Sequence, residues 1–206
     1  MNLNFKNALC LSPHPDDIEI SMSGTILKSP IDVIYNIFYL SYGTKWDNTT
    51  SKERFNECEK FWDKKYNVNK MHEPGSFISE INEDEWIYLI EETYDLNDYD
   101  AIFIPAEFDT HFEHRIVNSI GRALARNKKI SLIEYKSGSA TEEWIPNLFI
   151  DVSDIIEEKL KRLKCFESQK KNYLDDDYLF VFHEHLQSRR KGISYVEQFK
   201  IIQLYE

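Results

Sequence analysis

The chain reads as a three-layer α/β sandwich, a mostly parallel sheet with helices on both faces. Three observations predict it. Short apolar runs rich in Ile, Val, Phe and Tyr alternate with longer amphipathic segments along all 206 residues. Parallel strands need a long crossover between them, and helices in those crossovers cover the sheet on both sides. The composition, 42% hydrophobic with 13 Phe, 12 Tyr and 4 Trp, supplies a core, and a chain of this size buries roughly 70% of its unfolded surface without covalent staples. Finally, no internal repeat, Pro/Gly-rich linker or low-complexity tract divides the sequence, so residues 1–206 are expected to form a single domain.

Taken in order, Ala8–Leu11 is the first expected strand and Ile18–Lys28 the first helix. Val33–Leu40 follows as a strand, then a helix over Lys52–Tyr66, where Phe55, Cys58, Phe61 and Trp62 recur at near-helical spacing. A helix over Asp84–Tyr94 leads to the strand Ala101–Pro105 and the helix Phe112–Arg126. Ser131–Tyr135 and Leu148–Val152 read as strands because they are short, apolar and rich in β-branched and aromatic residues. A last long helix is expected over Asp154–Lys171, with Ser153 as its N-cap and Ile155, Ile156, Leu160 and Leu163 as its apolar stripe. The pattern is Rossmann-like.

Charge and cysteine usage narrow the function classes. The 36 acidic residues against 25 basic ones give a net charge of −11, which opposes binding to nucleic-acid phosphates or an anionic membrane. The longest apolar stretch, around Val33–Leu40, is broken by Asn36 and falls far below spanning length, so no membrane insertion is expected. The opening MNLNFKNALCLSPHPDD has too short an apolar run for a secretory signal. Cys10, Cys58 and Cys165 are scattered and odd in number, which fits reduced thiols and a cytoplasmic location. The sequon Asn48-Thr49-Thr50 is accordingly read as coincidence.

Two polar clusters follow expected strands directly. Ser12-Pro13-His14-Pro15-Asp16-Asp17 follows the first strand, and Ala106 to His114, read AEFDTHFEH, follows Ala101–Pro105. In a parallel sheet both emerge at the carboxyl edge, where ligands bind. His14 and Asp17 share one loop, and His111 and His114 stand three apart on one face of a helix start. Catalytic zinc takes three such ligands and leaves a position for water. The adjacent carboxylates Asp16 and Asp17 allow one to coordinate a cation while the other takes a proton. Either cluster alone is weak, since HxxH pairs are common surface features and paired acids commonly cap helices. Together on one edge they point to a metal site.

These residues resemble a known family. The run SPHPDDIEISMSGTI is similar to the signature of the PIG-L/LmbE-like zinc-dependent N-deacetylases, roughly AHPDDxExxxGGT. KERFNECEKF resembles the family's RxxE helix, and PAEFDTHFEH its Pro…Asp-x-His-x-Asp-His segment. WIPNLFIDVSDIIEEKLKRLKCFESQ and RRKGISYVEQF are similar to the stretches ending in Lys…Ser-Gln and Tyr-x-Glu-x-Phe. The resemblance implies metal ligation by His14, Asp17 and His114, with Zn2+ as the ion and Fe2+ as the alternative. It implies Asp16 as general base and His111 as the group that stabilises the oxyanion or protonates the leaving amine. Arg54 matches a substrate-contacting arginine, against the plainer reading of an ion pair with Glu57. Asp109 is taken for substrate binding, with support of the ligands as its other reading, which Glu107 shares. The expected reaction is removal of an N-acetyl group from a small amino-sugar derivative; other amides such as N-formyl groups, and a non-catalytic metal-binding role, are the alternatives. A small N-acetylated sugar is the expected partner, with no nucleic acid, and assembly into a homo-oligomer stays open.

Departures from the pattern are Ser23 for the first glycine of GGT, Glu113 for the Asp of HxDH, and Ser41-Tyr42-Gly43-Thr44-Lys45 without the usual acid. Glu113 brings a longer side chain to support the neighbouring helix or the ligands. His183 and His185 are read as partly exposed histidines, and His72 as a residue before a turn. Asp175-Asp176-Asp177 is read as a solvated turn or helix start, and Trp46 and Trp144 as core or rim packing residues, with an aromatic face at a sugar pocket as the alternative.

Overall fold

A computed structural model describes residues 5–41, 51–62, 68–72, 81–169, 176–184 and 192–205. Among them a sheet of seven strands runs in the order β3-β2-β1-β4-β5-β7-β6. The strands are β1 (Asn7–Ser12), β2 (Ile34–Tyr39), β3 (Val68–His72), β4 (Ala101–Pro105), β5 (Ser131–Tyr135), β6 (Leu148–Asp151) and β7 (Val196–Gln203). The pairings of β1 with β2 and β4, β2 with β3, and β4 with β5 are parallel. β7 pairs antiparallel with both β5 and β6. The helices are α1 (Asp17–Lys28), α2 (Ser51–Phe61), α3 (Glu83–Thr93), α4 (Phe112–Ala125), α5 (Ile156–Leu163) and α6 (Asp176–His183).

The expected three-layer α/β architecture holds. One buried cluster gathers Ile18, Met22, Phe61, Phe103, Leu160, Phe166 and Phe199 on one face of the sheet. The other gathers Leu9, Phe38, Trp86, Ile104, Val117 and Leu124 beneath α3 and α4. Side chains alternate between the faces along β4, where Phe103 joins the first cluster and Ile102 and Ile104 the second. α4 lies so close to β4 that a Cβ on Gly121 would collide with the Ile104 side chain. No helix among the described residues is long and apolar enough to cross a membrane.

Sequence pattern missed two strands. β3 (VNKMH) has too few apolar residues to mark it, and it sits at the sheet edge. β7 (VEQFKIIQ) buries Glu197 in its second position, which breaks the apolar signal. The last long helix is also shorter than expected. It covers Ile156–Leu163 and is followed by a 3-10 turn over Glu167–Gln169. Ser153 does not cap it: the N-cap is Ile155, and the Ser153 hydroxyl donates to the Tyr195 carbonyl while accepting the Ser194 and Tyr195 N–H groups. That serine ties the end of β6 to β7 instead. The expected helix over Lys52–Tyr66 begins at Ser51 and is described to Phe61.

The chain reverses direction across the sheet between β1 and β4, which pair side by side through Cys10 and Phe103. That is the switch point at which open α/β sheets bind ligands. Both polar clusters open onto it.

Candidate metal centre

The loop after β1 is held rigidly. The Leu40 and Ser41 N–H groups donate to the Ser12 and Pro13 carbonyls, fastening it to the end of β2. The Ser12 hydroxyl donates to the His14 carbonyl at 2.7 Å, and the His14 N–H donates to Asp17 Oδ2 at 2.9 Å. Pro13 and Pro15 restrict the chain on either side of His14. Asp16, the N-cap of α1, has a φ of 139°, a conformation that L-residues rarely adopt. Such backbone persists only where the surroundings hold it, and it clusters at functional sites.

The loop after β4 is fixed by Asp109. Its Oδ1 accepts the His111 N–H at 2.7 Å and the Ser139 hydroxyl at 2.5 Å. Its Oδ2 contacts His114 Nδ1 at 2.9 Å and accepts the Ser137 hydroxyl. A bridge between Asp109 and Ala140 joins this loop to the one after β5. Asp109, taken from sequence for substrate binding, therefore spends its carboxylate on the site's own framework.

His14, Asp17 and His114 converge. One ligand atom from each lies within 4.8 Å of the others, and all three residues are buried. His14 Nδ1 is 3.2 Å from Asp17 Oδ2, and His114 Nε2 is 3.4 Å from Asp17 Oδ1. Each histidine has a carboxylate on its other nitrogen: Glu113 Oε2 is 2.7 Å from His14 Nε2, and Asp109 Oδ2 holds His114 Nδ1. This is the arrangement by which outer carboxylates fix the tautomer of metal-binding imidazoles. The donor set of two nitrogens and a carboxylate suits a divalent ion such as zinc. A second grouping, His14 with His111 and Glu113, also meets the distance condition, but there Glu113 already serves as the holder of His14.

The electrostatics follow from this packing. Burial alone would lower the His14 pKa, but hydrogen bonds to Asp17 and Glu113 outweigh it and raise it. Burial also opposes the charged form of His114, yet Asp17 and Asp109 push its pKa up to about 10. Burial would raise Asp17; the positive charge of His114 and the bonds to both histidines hold it well below the usual carboxylate range. Asp16 goes the other way, raised by burial against the pull of Arg54. The Arg54 guanidinium donates to Asp16 Oδ2 at 2.8 Å, while the Glu57 carboxylate accepts from the Ser168 N–H and hydroxyl. Arg54 therefore lies against the expected base.

His111 sits beside the trio, its ring centroid 5.0 Å from that of His14 and 4.7 Å from that of His114. Neither nearby carboxylate bonds its ring: Glu113 binds His14, and Asp109 meets the backbone N–H of His111. Burial, then the neighbouring His14 and His114, lower the His111 pKa, which favours the neutral ring. Its Nδ1 is buried without a hydrogen-bond partner among the described residues.

Elsewhere, Trp144 is buried with its Nε1–H on Glu134 at 2.7 Å, a packing residue as expected. Glu107 is engaged by Arg122 and Lys200. His183, expected to be partly exposed, is fully buried at the end of α6. Asp176 and Asp177 open that helix. His72 ends β3, while Trp46, His185, Asp175 and the Asn48 sequon lie outside the described residues. Sequence reasoning missed Ser137 and Ser139, whose lone hydroxyls carry no motif, and the contact of Arg54 with Asp16.

No family model matches the chain. Among curated proteins it is similar to the diacetylchitobiose deacetylase of Thermococcus kodakarensis, 28% identical over 189 residues that span 80% of this chain and 70% of that protein. Among solved structures it resembles the N,N'-diacetylchitobiose deacetylase of Pyrococcus horikoshii in complex with an inhibitor, with a TM-score of 0.65 at 21% identity, over 97% of this chain and 85% of the other. It also resembles GalB, the 4-carboxy-2-hydroxymuconate hydratase of Pseudomonas putida, with a TM-score of 0.76 at 15% identity over 98% of each chain. At these identities the two structural likenesses establish the fold, and the hydratase shows that this fold serves more than one reaction.

Proposed function

We propose, from the premise that this chain is a PIG-L/LmbE-like protein in motif order, sequence and fold, that it is a metal-dependent hydrolase removing the N-acetyl group from a small amino-sugar derivative. The observation that carries the proposal is the buried convergence of His14, Asp17 and His114 beside Asp16 at the switch point of the sheet. The curated relative supports the substrate class: it is a deacetylase of a diacetylated amino-sugar disaccharide. GalB favours no rival reading of this site, because its likeness is one of fold.

His14, Asp17 and His114 would hold the ion, zinc with ferrous iron as the alternative. When bound, such an ion polarises an amide carbonyl and brings water to a pKa of roughly 7. The chain's own groups do the rest. Asp16 takes a proton from the attacking water, whose oxygen bonds to the acetyl carbon with its second proton still attached. Its raised pKa suits a base that must accept a proton and then release it. Arg54 fixes Asp16 Oδ2 and so determines which way the carboxylate faces. His111, neutral and adjacent, donates a hydrogen bond toward the developing oxyanion. The C–N bond then breaks, the amine leaves with the proton that Asp16 carried, and the acetic acid left behind gives its hydroxyl proton to solvent and departs as acetate. Glu113 and Asp109 act only through the two histidines they hold. The scattered cysteines, all three free, support a reducing compartment, and we place the enzyme in the cytoplasm.

The test is amine release from a panel of N-acetyl and N-formyl amino sugars by zinc-loaded protein. Wild type should release amine and acetate, and Asp16→Asn should keep the metal while turnover falls about 10²–10⁴-fold. Amine from the N-formyl compounds alone would move the acyl group. No release from any compound would defeat the reading.

A further inference from the structure

A buried ion pair that the reaction does not use is set into α1. Lys159 of α5, Glu197 of β7 and His183 of α6 meet there, all essentially without solvent exposure. Lys159 Nζ donates to the Ile20 carbonyl at 2.6 Å and to His183 Nε2 at 2.7 Å, and pairs with Glu197 Oε1 at 2.5 Å. The three protons of the ammonium thus have three acceptors. His183 Nδ1 donates to the Leu179 carbonyl at 2.6 Å, which leaves Nε2 free of a proton and able to accept. Glu197 accepts the backbone N–H groups of Gly24 and Thr25 at 2.7 and 2.6 Å, and the Thr25 hydroxyl at 2.6 Å.

In an α-helix the carbonyl of residue 20 is ordinarily the acceptor for the N–H of residue 24. Here Lys159 binds that carbonyl and Glu197 binds that N–H, so a side-chain ion pair bridges the two ends of one rung of the helix. Gly24 makes the insertion fit, since a Cβ there would lie 2.7 Å from Val152 Cγ1 and 2.8 Å from Glu197 Oε1. As adhesive alone the pair is a poor choice, because apolar residues of similar volume hold elements together as well or better than a buried ion pair does. Its position supplies another reason. The Ile20 N–H donates to the Asp16 carbonyl at 2.8 Å. Two hydrogen bonds through one residue therefore connect the Lys159 ammonium to Asp16, the residue at a φ of 139°.

We propose that Lys159, supported by Glu197 and His183, is a positioning residue that fixes the first turn of α1 and thereby the placement of Asp16 and Asp17. The role of Asp16 in this rests on the function proposed above; the placement of Asp17 is read out by metal binding alone. Lys159→Met by itself leaves Glu197 buried without a counter-charge, so the informative variant is Lys159→Met with Glu197→Gln, which removes both charges at nearly constant volume. Three quantities are measured well below the melting temperature: Zn2+ affinity by chelator competition, kcat and KM.

The expected result is a cooperatively folded double variant that binds Zn2+ about 10–100-fold more weakly, the scale for losing support behind a metal ligand. Its kcat at saturating metal should fall by at least about 10-fold with KM nearly unchanged, as misplacement of a reacting group requires. A lower Tm with Zn2+ affinity and kcat both at wild-type values would overturn the proposal and leave the pair as adhesive. If wild type hydrolyses no amino sugar, the proposed function fails, and the Zn2+ arm still decides this one: unchanged affinity overturns it, weakened affinity supports it. Should the double variant not fold, His183→Leu keeps the ion pair and removes one acceptor of the ammonium. Wild-type Zn2+ affinity and kcat in that variant would equally overturn the proposal.

Discussion

At the scale of single residues, the site is governed by which nitrogen each histidine commits to which carboxylate. Glu113 and Asp109 occupy the outer nitrogens of His14 and His114, and Asp17 lies against the inner ones. Without metal, these carboxylates stabilise the protonated histidines and raise both pKa values, that of His114 to about 10. The sign follows directly. A raised pKa means that the metal-free site holds protons at neutral pH, so a cation must displace them. Zinc affinity should therefore rise with pH through the neutral range and fall on acidification, with net proton release on binding. Calorimetry in two buffers of different ionisation enthalpy at pH 7 checks this, and equal apparent heats in both would contradict it.

His111 has a separate job at the same scale. Among the described residues no partner bonds its Nδ1, and burial with two imidazole neighbours lowers its pKa and favours the neutral form. His111→Ala is expected to retain full metal content while turnover falls about 10²–10³-fold, the usual loss for an oxyanion donor. Metal content and kcat measured on one sample check it; loss of the ion would make His111 a ligand.

At the scale of elements, α1 and α4 each deliver ligands from their first turns, and each is anchored from outside itself. α4 is pressed onto β4 at Gly121, and its entry loop is gathered by Asp109 onto Ser137 and Ser139. Asp109→Asn keeps the size but weakens the hold on His114 Nδ1. It should weaken zinc binding about 10–100-fold, the range for losing a carboxylate behind a metal-bound histidine. The same change should leave KM nearly unchanged if Asp109 touches no substrate; a KM effect with intact metal affinity would restore the substrate role read from sequence.

Sequence was most informative where apolar runs are bounded by chemistry. β1, β4 and β5 and the starts of α1 and α4 were legible because buried strands of a parallel sheet are nearly continuous in apolar residues. His14, Asp16, Asp17, His111 and His114 were legible because they crowd the ends of two such strands. β7 was hidden because Glu197 is buried there for α1, so its charge misleads a reading based on polarity. His183 was misjudged for a related reason. Its burial depends on Lys159, which is 24 residues distant in sequence, and no local pattern reports such a contact.

At the scale of the whole molecule, a protein of net charge −11 buries charged groups along α1, with Asp16 and Asp17 at its start and Lys159 and Glu197 against its middle. Glu19 adds to them. Burial raises its pKa to about 7, even though Tyr39 and Trp62 both donate to its Oε1 at 2.6 Å. One core cluster packs around this helix, and the other covers the opposite face of the sheet. The carboxyl edge of β1 and β4 is then the place where a cation, a base and a neutral imidazole meet.

The most direct measurement is acetate release from an N-acetyl amino sugar by chelator-stripped protein as Zn2+ is titrated back. Activity should be absent in the stripped protein and rise to a plateau at about one ion per chain, the number that a single site of three protein ligands takes. In His14→Ala, Asp17→Ala and His114→Ala the plateau should be lost or displaced to much higher zinc. Full activity in the stripped protein, or an unchanged titration in all three variants, would contradict a metal-dependent hydrolase built on these residues.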